Sequence, residues 1–394
     1  MEETADIGFA DKDALPAAES VVRQRTTEAG AACAGYARHM AVVPLGLPAV
    51  PIHGAGMATD RPTEASGLVD RFGRRATDLR VSLTDKCNLR CSYCMPPEGL
   101  PWLPSERVLT DDEVIRLVGI AVERLGVTEV RFTGGEPLLR RGLVDILRAV
   151  TALRPRPETM LTTNAIGLER LAPALAEAGL DRVNVSLDTL DRETFRRLAH
   201  RDRLDDTLAG LRAATDVGLT PVKINSVLLR GQNEHEAVAL AEFALAEGHE
   251  LRFIEQMPLD AQHSWDRGEM VTAAEILAAL QSRWSLTPDP AHRGAAPAET
   301  WLVDGGPARI GVIASVTRPF CGACDRTRLT ADGQVRNCLF ATGETDLRGA
   351  LRSGESDEEI ADRWRVAMWG KLAGHGIDDP SFLQPDRPMS AIGG

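Results

Sequence analysis

The chain has no excess of basic side chains: 45 Lys and Arg stand against 57 Asp and Glu, a formal charge of −12. That excludes a nucleic-acid partner held on a broad phosphate-neutralising surface, though not a small anion held by a few buried arginines. There is no run of about 20 apolar residues, so no membrane-spanning helix is expected. The nearest thing to one, residues 41–52, contains Pro44, Pro48 and Pro51 and lacks a basic segment just before it, which argues against a signal peptide. A cytoplasmic location is the expectation. The even cysteine count and small size of a disulfide-stapled secreted protein are also missing, since seven cysteines are spread over 394 residues.

What is present is the composition of a soluble globular protein, 43% hydrophobic and 26% charged. Its length allows a barrel of about 250 residues plus an appendage, or two to three ordinary domains. Residues 1–66 show no sustained apolar period, many alanines and scattered Pro, Gly and Thr, which reads as a disordered leader. Met40 and Met57 lie in this leader, so a later start would shorten it, and Cys33 within it is assigned no role.

From Asp78 onward, short apolar runs alternate with amphipathic stretches. Strands are expected at 79–83, 129–132, 159–162, 182–186, 222–228 and 250–254. Helices are expected at 111–125, opened by Thr110 and Glu113 as a capping box, and at 142–153, 168–178, 204–217 and 234–246. Six strand–helix units in series predict a parallel sheet with right-handed crossovers. Six fall short of the eight that close a barrel, which leaves an open (β/α)6 partial barrel or a doubly wound sheet, with ligands beyond the carboxyl ends of the strands. After Met257 the pattern breaks into a helix near 273–284, a Pro-rich linker at 288–297 and a strand near 309–316. The expected organisation is a leader (1–66), a barrel (67–257) and a smaller C-terminal region (258–394).

Six cysteines fall into two triplets. The first, Cys87-Asn-Leu-Arg-Cys91-Ser-Tyr-Cys94, follows the first strand directly. Three thiolates at C-x3-C-x2-C can hold a 4Fe-4S cubane and leave one iron open, whereas a structural zinc or an electron-carrying cluster normally takes four protein ligands. The second strand runs into Arg131-Phe-Thr-Gly134-Gly135-Glu136-Pro137, where paired glycines permit close backbone approach. The second triplet is Cys321-Gly-Ala-Cys324 with Cys338 after 13 further residues. It too offers three thiolates and no evident fourth, which leaves a second open cluster or a degraded zinc knuckle. Arg326 and Arg328, two apart in an extended segment, point to one side near that triplet. Arg80, Arg131, Lys223 and Arg252 lie within short apolar strands, where an unpaired charge is expensive to bury and a buried anion such as a triphosphate is the natural partner.

The C-x3-C-x-aromatic-C loop resembles the radical S-adenosylmethionine (SAM) superfamily. That likeness implies a partial TIM barrel of the radical SAM type, a 4Fe-4S cluster whose open iron binds SAM, and one-electron cleavage of SAM to a hydrogen-abstracting 5'-deoxyadenosyl radical. It implies SAM contacts at Tyr93, Gly135, Ser186 and Met257. More of the chain resembles the GTP 3',8-cyclase family, the molybdenum cofactor biosynthesis protein A type. The likeness runs through Phe72-Gly-Arg, Asp78-Leu-Arg-Val-Ser, Leu161-Thr-Thr-Asn164, Asn184-Val-Ser-Leu-Asp, Arg252-Phe-Ile-Glu-Gln-Met257, Asn337-Cys-Leu-Phe-Ala and terminal Gly393-Gly394, over roughly residues 67–394.

What this resemblance implies is specific. GTP would be met by Arg80, Arg131, Thr162, Lys223, Arg252, Arg326, Thr327 and Arg328, with Gly393 and Gly394 reaching into the active site. Cys87, Cys91 and Cys94 would hold the SAM cluster, while Cys321, Cys324 and Cys338 would hold a second 4Fe-4S cluster against the guanine ring. Implied partners are an unidentified electron donor and a downstream cyclic pyranopterin monophosphate synthase. The expected state is monomer or homodimer. Another radical SAM enzyme with an auxiliary cluster, such as a peptide-modifying one, and a non-enzymatic iron–sulfur module are the competing readings. The first should carry more C-terminal cysteines, and the second should carry four ligands per cluster.

Overall fold

The computed structural model describes residues 67–393. The expectations for residues 1–66, for Cys33 and for Gly394 lie outside the described residues.

The barrel strands are short, with one face buried under the helices and the other, partly exposed, turned to the barrel interior. They are β1 (Asp78–Ser82), β2 (Glu129–Thr133), β3 (Glu158–Thr163), β4 (Arg182–Ser186), β5 (Lys223–Val227) and β6 (Glu250–Ile254). All six were anticipated to within two residues. Helices α1 (Asp111–Glu123), α2 (Leu143–Thr151), α3 (Leu168–Glu177), α4 (Arg192–Ala199), α5 (Leu204–Asp216), α6 (Ala237–Ala246) and α7 (Ala273–Gln281) intervene or follow. Helix α1 begins where the Thr110–Glu113 capping box closes reciprocally, and it buries Val114, Leu117, Val118 and Ala121 on one stripe. Each such side chain contributes on the order of 1.5–3 kcal/mol of burial.

Beyond Met257 the chain adds β7 (Leu286–Pro288), β8 (Glu299–Val303), β9 (Arg309–Ile313), β10 (Arg326–Leu329), β11 (Gln334–Arg336) and β12 (Thr345–Asp346). It ends in α8 (Leu347–Arg352), α9 (Asp357–Trp369) and α10 (Met389–Ile392). These strands extend both edges of one sheet, ordered β12-β11-β10-β1-β2-β3-β4-β5-β6-β9-β8-β7. Strand β10 lies parallel beside β1, and β9 lies parallel beside β6. The described fold is therefore an open α/β partial barrel in which the C-terminal strands continue the wall. Among the described residues no helix is long and apolar enough to cross a membrane.

Candidate active site

The loop after β1 carries the first cysteine triplet and is stitched to the end of β2. Gly135 N–H donates to the Thr84 carbonyl at 2.7 Å, and Glu136 N–H donates to that of Lys86 at 2.7 Å. A side chain on Gly135 would run into the Asp85 and Lys86 carbonyls. That contact is the physical reason for glycine there, and it leaves the strand end bare toward the interior. Glu136 turns inward, accepting from Thr163 Oγ1 at 2.7 Å and from the main-chain N–H of Asn164 at 2.8 Å, and burial pushes its carboxyl up to about 7. Tyr93 donates its phenol to Asp188 at 2.7 Å, and Asp188 also accepts from Val227 N–H at 2.8 Å.

All six described cysteines are free and half-buried. Burial pushes the Cys87 thiol up to about 11 and that of Cys94 to about 12, while Cys91 is raised by burial, Asp188 and its two partner thiols. These groups become thiolates when a cation binds them, so the donor set suits iron. Among the described residues, no three His, Cys, Asp or Glu side chains are grouped to clasp a single ion.

Alternation along parallel strands sends every second residue into the barrel. In this register Arg328, Arg80 and Arg131 are lateral neighbours on β10, β1 and β2. Burial, with mutual repulsion second, pushes Arg131 and Arg328 down to about 9 and Arg252 down to about 10, although Glu250 favours the Arg252 cation. The acid among them is Asp78: burial raises it, but Arg80, Arg131, Arg326 and Arg328 together hold it below its ordinary range. The Nε atoms of Arg80, Arg131, Arg252 and Arg326 are buried without a hydrogen-bond partner. Other donors find weak or partial partners, Arg131 the Met160 sulfur at 3.0 Å and Arg252 the Asn184 amide oxygen at 2.9 Å. Lys223 is different, because its ammonium pairs with Glu250, directly across the ladder, at 2.8 Å.

Thr327 is the one predicted GTP residue that the fold turns away. With Arg326 and Arg328 facing inward, period two sends Thr327 to the helix side, where its hydroxyl accepts from the Trp364 indole of α9 at 2.9 Å. It does not line the cavity. The other predicted residues converge on one cavity of about 730 Å³, in the range of a ligand site: Tyr93, Gly135, Ser186, Met257, Arg80, Arg131, Thr162, Lys223, Arg252, Arg326, Arg328 and both cysteine triplets line it.

The last described residues lie against this space, with Met389 and Ser390 on its lining. Arg328 donates to the Gly393 carbonyl, and a Cβ on Gly393, whose φ is +74°, would collide with Ser82 and Thr133 at the ends of β1 and β2. Helix α10 presents Ser390 to Cys94, and its Ile392 packs with Leu259 and Phe340 in a small cluster that touches Cys338. The tail thus reaches both triplets. Sequence reasoning missed Asp188, Asp78 and Lys371. Asp188, part of the Asn-Val-Ser-Leu-Asp run, carried a visible signal, whereas Lys371 carried none.

Comparison with known proteins is decisive once this geometry is set out. Residues 81–244 match the radical SAM superfamily, and residues 249–377 match the family described as Molybdenum Cofactor Synthesis C. A Streptomyces coelicolor protein named GTP 3',8-cyclase is 68% identical over 83% of this chain and 96% of its own length. The chain belongs to the GTP 3',8-cyclase family. A Mycobacterium tuberculosis relative named GTP 3',8-cyclase 2 is 60% identical over 90% of this chain and 100% of that one. A Streptococcus suis SuiB structure bound to S-adenosylmethionine is a more distant likeness, 16% identical over 73% of this chain and 68% of that one, with a TM-score of 0.48.

Proposed function

We propose that this member of the GTP 3',8-cyclase family catalyses the reaction its relatives are named for. It joins ribose C3' of GTP to guanine C8 to give (8S)-3',8-cyclo-7,8-dihydroguanosine 5'-triphosphate, the first step of molybdenum cofactor biosynthesis, with SAM cleaved to methionine and 5'-deoxyadenosine. One observation carries the reading: a single cavity holds two cysteine triplets and, on the strands lining it, arginines whose buried Nε atoms have no protein acceptor.

When bound, a 4Fe-4S cluster at Cys87, Cys91 and Cys94 supplies with SAM the one-electron chemistry. The chain's own contribution is placement. Gly135 offers bare main chain, and Tyr93, Ser186 and Met257 line the wall, so SAM would lie against the ends of β2, β4 and β6. Arg80, Arg131, Thr162 and Arg252 present donors from adjacent strands to the triphosphate. Lys223 would exchange its Glu250 partner for phosphate. Cys321, Cys324 and Cys338 would hold a second 4Fe-4S cluster beside Arg326 and Arg328, where the purine would be taken, and only the main chain of Thr327 is left for GTP. Holding both reactants in one geometry is worth on the order of 7–11 kcal/mol of barrier when alignment is good. Free thiols require a reducing compartment, which supports the cytoplasm. An electron donor and a following cyclic pyranopterin monophosphate synthase complete the sequence.

The test is anaerobic incubation of reconstituted protein with GTP, SAM and dithionite, with products read by mass. The reading expects 5'-deoxyadenosine together with a chromatographically new isomer of GTP. If 5'-deoxyadenosine accumulates while GTP returns unchanged, GTP is not the substrate.

A further inference from the structure

We infer that Lys371 is the counter-ion and a positioning residue of the second cluster, fixing the reduction potential of that cluster from outside the cysteine motif. This rests on the reading that Cys321, Cys324 and Cys338 hold iron and sulfide.

Lys371 lies two residues past α9 and is 3% exposed. Its ammonium spends its donors on one short segment: Arg326 carbonyl at 2.8 Å, Cys324 sulfur at 3.2 Å and Cys324 carbonyl at 3.3 Å. Among the described residues no carboxylate lies within ion-pair distance of it, and Asp325, next to Cys324, feels its charge only as a minor lowering from farther away. The side chain is held in place, because Arg74 donates to the next two carbonyls, Leu372 and Ala373, and to that of Cys321 at 2.7 Å. A lysine buried without an anion costs several kcal/mol. A cubane held by three thiolates carries net negative charge, and its Cys324 sulfur would be the part this ammonium touches. A charged N–H···S contact favours the more negative, reduced state and so raises the potential. Arg326 reaches the same sulfur only at 3.6 Å.

The experiment uses the full chain, anaerobically reconstituted, as Lys371→Met and Lys371→Arg, with iron content and an EPR-monitored redox titration resolving the two couples. In Lys371→Met the reduced-to-oxidised ratio of the second cluster at fixed potential should fall at least tenfold, about 59 mV for one electron. The first couple should stay in place, and Lys371→Arg should follow wild type. Loss of about four irons in Lys371→Met but not in Lys371→Arg supports the same role. An unmoved second couple, equal shifts of both couples, or equal iron loss in both variants overturns it. Wild type with about four irons rather than about eight would remove the second-cluster reading itself.

Discussion

Arg131→Met separates what the cationic row does for GTP from what it costs the fold. Arg131 lies between Arg80 on β1 and Met160 on β3, and burial first, then Arg80, bring it from 12.5 down to about 9. At about 1.36 kcal/mol per unit that depression is worth roughly 4–5 kcal/mol. The side chain is only half-buried, so solvent screening reduces the effective penalty to about 1–3 kcal/mol. The sign follows from the cation being disfavoured in the fold. The penalty is complete below pH 9, where folded and unfolded states are both protonated, and it disappears as pH climbs from 9 towards 12.5. Replacing the guanidinium by a methionine that packs on Met160 should therefore raise the melting temperature of cluster-loaded, GTP-free protein by about 2–4 °C at neutral pH. The same variant should lose one charge-assisted contact to triphosphate, about 1.5–3 kcal/mol, and bind GTP roughly 10- to 150-fold more weakly. Anaerobic scanning calorimetry and titration calorimetry measure the two effects. A variant that is less stable than wild type without GTP, or that binds GTP equally well, refutes the reasoning.

Thr327→Val should cost about 1–3 kcal/mol of stability by orphaning the Trp364 indole N–H while leaving the KM for GTP unchanged; an altered KM at constant melting temperature would place Thr327 in the site after all. Cys91→Ala should abolish 5'-deoxyadenosine formation and remove about four irons, and persistent SAM cleavage would contradict the assignment of the first triplet. Glu136, buried and raised to about 7, contributes stability below pH 4.5 that is lost as pH rises from 4.5 to 7, about 3 kcal/mol in all. Glu136→Gln should flatten that part of the stability profile in denaturation midpoints taken across the window, and an unchanged slope would show that the acid is not the cause.

Much of the barrel is legible because its strands read as short runs with apolar residues on the helix-covered face and turn signals between them. The six cysteines and Gly134-Gly135 are legible through spacing. Four helices escaped, and two of them, α4 and α9, did so for opposite reasons. Helix α4, Arg-Glu-Thr-Phe-Arg-Arg-Leu-Ala, offers only Phe195 and Leu198 as large apolar anchors amid charge, so no stripe is visible. Helix α9 does announce itself by a Ser356–Glu359 capping box, but it lies beyond the regular alternation. The resemblance groups Thr327 with Arg326 and Arg328, whereas the period-two argument that turns those two inward sends its side chain outward to Trp364. Charged strand residues suggest an anion from sequence, yet only the fold shows that Lys223 has Glu250 while Arg80 and Arg252 keep buried Nε donors unmet. Lys371 meets the Cys324–Arg326 segment across 45 to 47 residues of chain, and no local pattern records that contact.

The most direct test of one cavity serving both reactants uses GTP carrying deuterium at ribose C3'. Incubated anaerobically with reconstituted protein, SAM and dithionite, it should pass that deuterium to 5'-deoxyadenosine and yield a cyclised nucleotide that has lost it. Deuterium retained in the nucleotide, with unlabelled 5'-deoxyadenosine released, would contradict the account.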